Sequence, residues 1–323
     1  MAAPLTAPLR ATWSLFKQAF DAWTEDYAPS MGAALSYYTL FSIAPLLLIV
    51  IGLAGLVFGG DAARGEIFGQ LRGLMGDQGA AAVERLLQAA DKPEGGTIAT
   101  ITGTALLLLG AMTVFGELQN ALDRIWRAPA RKKASGWWNL LRSRLLSFGM
   151  ILGIAFLLMV SLVMSALLSA LGKLWGPAVQ GWESLAHLVD VAVSFGIVTV
   201  LFALIYKFIP RVRIRWRDVW VGAAVTAALF AVGKLLIGLY LGKSSVASAF
   251  GAAGSLVVMM VWVYYSAQIF LLGAEFTWVY AHTYGSRRGE RRPRPEDSAP
   301  VEPRSPVGPA GAARPDYPRV QSP

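Results

Sequence analysis

The sequence predicts an all-α membrane protein with six transmembrane helices, and three observations carry that prediction. The 323 residues are 55% hydrophobic and 15% charged, with a mean hydropathy of +0.50, whereas soluble domains carry about a quarter charged residues. Six apolar windows are each long enough to cross a bilayer. The basic residues gather in alternate loops, as they do when those loops stay cytoplasmic.

Residues 1–29 form the first region. MAAPLTAPLRATWSLFKQAFDAW has no continuous apolar core followed by a cleavage site, so no secretory leader is expected. Trp13, Phe16, Phe20, Trp23 and Tyr27 recur at three- and four-residue spacing, with Arg10, Lys17, Asp21 and Glu25 between them. This pattern predicts an amphipathic helix lying in the cytoplasmic interface.

Residues 30–285 form the membrane domain. Its expected spans are Met31–Phe58, Thr97–Gly116, Leu145–Gly172, Leu185–Ile209, Val219–Leu241 and Ala252–Ala281. Pro45 interrupts the first near its middle. The loop 59–96 carries Ile67, Leu71 and Leu74, then Val83, Leu86 and Leu87, which predicts a short helical hairpin. Gly55/Gly59, Gly149/Gly153 and Gly238/Gly242 have the spacing of close helix packing. From Ser286 to the end, residues 286–323 are rich in proline and arginine and lack apolar periodicity. They predict a disordered basic tail.

Arg124, Arg127, Arg131, Lys132, Lys133, Arg142 and Arg144 follow the second span. Arg211, Arg213, Arg215 and Arg217 follow the fourth, and Arg287, Arg288, Arg291, Arg292 and Arg294 the sixth. The loop 59–96 has more acidic than basic residues. Both termini are therefore expected in the cytoplasm. Arg124, Arg127, Arg211, Arg213 and Arg215 are candidate contacts for anionic lipid headgroups.

Helix direction turns sequence position into depth, at about 1.5 Å per residue. Glu275 falls about 9 Å from the inner end of its span, and Tyr37 and Tyr38 about 9–11 Å above the inner end of theirs. Glu117 lies at the inner boundary. With Gln268 these residues are the candidate lining of a cavity holding a substrate or a proton, since an ionisable group in a span needs solvation or a partner. Further out, Lys234 and Asp190 lie about 10 and 7–8 Å from the outer ends of their spans, a candidate intramembrane charge pair. The bland alternatives are a structural hydrogen bond for Glu275 and a Lys234 that snorkels to the surface.

Several classes are disfavoured. With no cysteine and two histidines, no thiolate or histidine-rich metal site is expected. No nucleotide loop, zinc-protease motif, nucleophile elbow or dinucleotide fingerprint occurs, so neither an enzyme nor a cofactor is predicted. The net charge of +9 follows from topology and does not call for a specific nucleic acid. Membrane lipids are the expected partners, with self-association left open.

The segments AALSYYTLFSIAPLLL, FGELQNALDRIW, WWNLLRSRLLSF, YKFIPRVRIRWRDVWVGAAVTAALF and GAAGSLVVMMVWVYYSAQIFLLGAEFTWVY occur here in the order found in the YihY/BrkB family. The chain resembles that family from about Leu15 to Tyr284. The resemblance implies a six-helix bacterial inner-membrane protein of the cell envelope, some relatives being labelled virulence factor and some, historically, ribonuclease BN. No residue above supports the ribonuclease label. The expectation that follows is a transporter or flippase-like protein for an amphiphilic or anionic envelope substrate. Its rival is a non-transporting membrane scaffold, and a membrane-bound hydrolase comes third.

Overall fold

A computed structural model of the chain describes residues 6–90, 113–129, 182–243, 250 and 253–290. The described elements are helices: α1 (Thr6–Glu25), α2 (Ala28–Phe58), α3 (Gly60–Ala90), α4 (over 113–125), α5 (Trp182–Phe208), α6 (Trp216–Lys243) and α7 (Gly254–Thr283). Val191–Phe208, Trp216–Leu241 and Gly254–Thr283 are long and apolar enough to cross a membrane. The first expected span falls within α2, a 31-residue helix without an Asp, Glu, Lys or Arg. The second expected span, up to residue 112, and all of the third lie outside the described residues, as does the tail from 291 onward.

Helices α6 and α7 pack through a reciprocal clasp. A Cβ on Gly222 would lie 1.8 Å from Thr277 Oγ1, and one on Gly273 would lie 2.0 Å from Thr226 Oγ1. Each threonine satisfies its hydroxyl within its own helix, Thr226 donating to the Gly222 carbonyl and Thr277 to that of Gly273. Small residues thus let two apolar helices approach closely. The closest approach uses Gly222 and Gly273, whereas Gly238, singled out by its spacing, faces open space. The buried Tyr206 of α5 joins the clasp, its hydroxyl 2.7 Å from the Phe270 carbonyl and 3.1 Å from Thr226 Oγ1.

The arginine-rich end is tied by polar contacts. Asp123 of α4 takes the backbone N–H of Arg211 at 2.8 Å and its guanidinium at 3.2 Å, while Gln119 donates to the Ile209 carbonyl. Asp218, in the first turn of α6, accepts from the Ser286 N–H and hydroxyl, which fastens the chain just after α7. Helix α1 buries Leu15, Ala19 and Ala22 and sets Phe16 against Phe276 at 4.9 Å, leaving Trp13 and Phe20 exposed.

Helix α3 is two helical pieces meeting at Gly76, whose φ of 72° and ψ of 174° suit glycine alone. Met75, Ala82 and Val83 from its two sides form a second core with Ile237, Leu241, Val258 and Met259. Helix α3 is therefore packed against α6 and α7.

Candidate functional site

Glu275 is 1% exposed on α7, where its neighbours Leu271, Ala274, Phe276 and Val279 belong to the main hydrophobic core. The group facing it is Asp26, 3% exposed, from the turn between α1 and α2. The two carboxyls lie within hydrogen-bonding reach of each other. On the far side of Asp26, Arg127 Nη2 lies 3.2 Å from Oδ1. Among the described residues neither Asp26 Oδ2 nor Glu275 Oε1 meets an N–H or O–H donor, and Arg127 Nε meets no acceptor. Burial pushes the Asp26 carboxyl above the ordinary carboxylate range, against the opposing pull of the Arg127 guanidinium.

Unusual backbone holds both partners. Helix α4 ends with Arg127 N–H bonded to the Arg124 carbonyl and Ala128 N–H bonded to that of Asp123. These are the two bonds of a Schellman ending, and they place Arg127 at its left-handed position, where glycine is the usual residue. Its φ is 50°. Beside Asp26, Tyr27 has φ 58° and turns the chain from α1 into α2, with Arg124 lying 5.5 Å over its ring. Among the described residues these are the two non-glycine positions with positive φ.

Gln268 lies two turns up α7 from Glu275, about 10 Å away along one face. Both polar atoms of its amide are buried without a partner among the described residues. The amide rests on the start of α2, where a Cβ on Gly32 would come within 2.0 Å of Nε2. One turn further along α2, Ser36 Oγ donates to the Met260 carbonyl at 2.9 Å. The face of α7 toward the α1–α2 junction thus carries buried polar atoms that have no partner among the described residues.

Of the residues singled out from sequence, Glu275 and Arg127 meet here through Asp26. Tyr37 is 52% exposed and its ring packs edge-on against Tyr38 and Phe41. Glu117 is half-buried on α4. Arg211 is engaged by Asp123, while Arg124, Arg213 and Arg215 are exposed. Lys234 Nζ donates to the Gly73 carbonyl of α3 at 2.8 Å, and the side chain of Asp190 lies outside the described residues. Sequence reasoning missed Asp26. Its one signal was a carboxylate directly before an aromatic and an Ala-Pro helix start, in DYAP. Among the described residues no three His, Cys, Asp or Glu side chains are placed to hold a metal ion.

Comparison with known proteins adds a family. The family model described as Virulence factor BrkB matches residues 19–298. A UPF0761 membrane protein of Pseudomonas aeruginosa (strain LESB58) is 29% identical over 256 residues, covering 77% of this chain and 58% of the relative. One from Ralstonia nicotianae is 28% identical over 77% of this chain and 55% of the relative. One from Tolumonas auensis is 26% identical over 78% of this chain and 80% of the relative. The chain therefore spans little more than half the length of the first two. No solved structure matches.

Proposed function

We propose that this chain, which belongs to the Virulence factor BrkB family of membrane proteins, is an inner-membrane transporter or flippase-like protein for an amphiphilic or anionic envelope substrate. The observation that carries this reading is the row of buried polar groups made by Gln268 and Glu275 on α7 with Asp26 facing it. A buried polar atom without a partner costs about 1–3 kcal/mol, and the Gln268 amide has two such atoms among the described residues. A bundle built only for rigidity gains nothing from that cost. A site that opens to water or substrate in another conformation recovers it, as polar groups near the midplane do in transporters.

On this reading both termini are cytoplasmic and the present conformation is occluded. Asp26 and Arg127 close the inner side against Glu275, and Lys234 holds the α3 hairpin over the outer side. Exposed Arg124, Arg213 and Arg215 gather anionic headgroups at the inner surface, and Tyr37, Tyr38 and Glu117 line the path once it opens. The Gly–Thr clasp of α6 and α7 favours a second reading, a static scaffold, because it leaves those two helices no room to slide.

The chain has no cysteine, so a single introduced thiol reports without background. In vesicles of known sidedness, Gln268→Cys should react with a membrane-impermeant maleimide from one side at least, while Leu271→Cys, buried in the core, stays protected. Equal protection of both, with full labelling after denaturation, would establish the scaffold instead.

A further inference from the structure

Ionised carboxylates are acceptors only, so a hydrogen bond between two carboxyls requires a proton on one of them. Asp26 and Glu275 are brought within reach of such a bond, and both are almost fully buried. The oxygens left without a donor among the described residues, Asp26 Oδ2 and Glu275 Oε1, belong to these same two groups. One proton between them supplies the missing donor to both sides. We propose that Asp26 and Glu275 form a proton-binding site that holds a single proton between their carboxyls, with Arg127 balancing the remaining negative charge.

The charges close. Two carboxyls and one proton carry one negative charge, and Arg127, 3.2 Å from Asp26, carries one positive. The other charged groups that the pair feels are Glu25 at the end of α1 and Arg124 on α4. Arg124 is already spread over the exposed Tyr27 ring, and Glu25 is exposed. A second independent observation marks the same place. Arg127 and Tyr27, the two positive-φ non-glycine residues among those described, both adjoin Asp26, one through its ion pair and the other as its neighbour in the chain. Backbone strain of this kind collects where a structure holds particular side chains in a functional arrangement.

Loss of the proton leaves two negative charges against one positive in a site buried from solvent. That state is relieved when the α1–α2 turn or the end of α4 moves to admit solvent. As a coupling site the pair rests on the transport reading, whereas as a proton site it stands by itself.

Infrared difference titration of the full chain in lipid vesicles tests it through the carbonyl stretch of a protonated carboxyl. The wild type should keep one such band above about pH 6, where ordinary carboxyls are ionised. Asp26→Asn and Glu275→Gln should each abolish it, because the new amide donates to the remaining carboxylate. Glu117→Gln should leave it in place. If the first two variants do not fold, wild-type protein labelled with carbon-13 at aspartate or at glutamate carboxyls replaces them, and either label should shift the band. Absence of the wild-type band, survival of the band in Asp26→Asn or Glu275→Gln, or a shift with one label alone overturns the proposal. Protection of Gln268→Cys with the band intact removes the transport reading and keeps the proton site. Labelling without the band does the reverse.

Discussion

Arg127 stands where a helix ending of this kind usually has glycine, and that choice puts two effects in opposition. An L-residue in the left-handed region costs about 1–2 kcal/mol, so Arg127→Gly relieves strain at φ 50°. The same change removes the one guanidinium in contact with Asp26, and stripping the partner from a buried charge costs about 3–5 kcal/mol. The acid pair can lessen that loss by binding a further proton. The lost partner still outweighs the relieved strain, and Arg127→Gly should lower stability by about 1–3 kcal/mol, read as a fall in melting temperature in detergent. A rise in melting temperature would mean the pairing contributes nothing. Asp26 itself gives a pH dependence. Its folded carboxyl titrates above its unfolded value, about 3.9. The unfolded chain therefore gives up this proton first as pH rises. The contribution of Asp26 is fully present below the unfolded value and is lost as pH climbs through the folded one. The stability margin of the wild type over Asp26→Asn should accordingly be widest in acid and shrink toward neutrality. A margin that grows with pH would mean the arginine, and not burial, governs Asp26.

At the level of elements, the clasp of α6 and α7 separates glycines that matter from glycines that do not. A methyl at Gly222 or Gly273 meets a threonine at 2.0 Å or less, and overpacking of this kind costs about 1–3 kcal/mol. Gly222→Ala and Gly273→Ala should each lower the melting temperature. Gly238→Ala, with nothing within 4 Å, should be neutral or slightly stabilising, since alanine is the better helix former by about 1 kcal/mol. The reverse order would mean that α6 and α7 do not meet as described. Sequence pattern found these helices because apolar length is a local property: α5, α6 and α7 begin and end close to the expected boundaries. It did not find the clasp. Gly222 and Gly238 look alike on one strand of sequence, and only the partner helix, which pattern does not identify, distinguishes them. The amphipathic reading of α1 met the same limit. The spacing of Trp13, Phe16, Phe20 and Trp23 located a helix, but Phe16 and Trp23 pack against the core beside the buried Leu15, Ala19 and Ala22, while Trp13 and Phe20 stay exposed.

Across the whole molecule, counting residues along a helix gives height but not bearing. It placed Glu275 in a polar layer near one end of its span and Lys234 in another layer toward the other end. It could not show that the first turns toward Asp26 and Arg127, or the second toward a backbone carbonyl of α3. Those partners come from distant parts of the chain, and helix order decides them. On the transport reading proposed above, the two contacts close the molecule at separate places, around buried polar atoms that have no partner among the described residues. An alternating-access protein opens one closure at a time, so loosening the outer one should expose the row to the outside alone. Lys234→Met keeps an apolar stem of similar reach and removes the donor to Gly73. The bond is exposed to solvent and of ordinary strength, about 0.5–1.5 kcal/mol. Its loss corresponds to a shift of about two- to ten-fold in the outward-open population. Combined with Gln268→Cys, Lys234→Met should raise maleimide labelling from the outer side by that factor and leave or lower labelling from the inner side. A rise from both sides would point to general loosening of the bundle. No change on either side would make the Lys234–Gly73 bond a surface contact without a gating role.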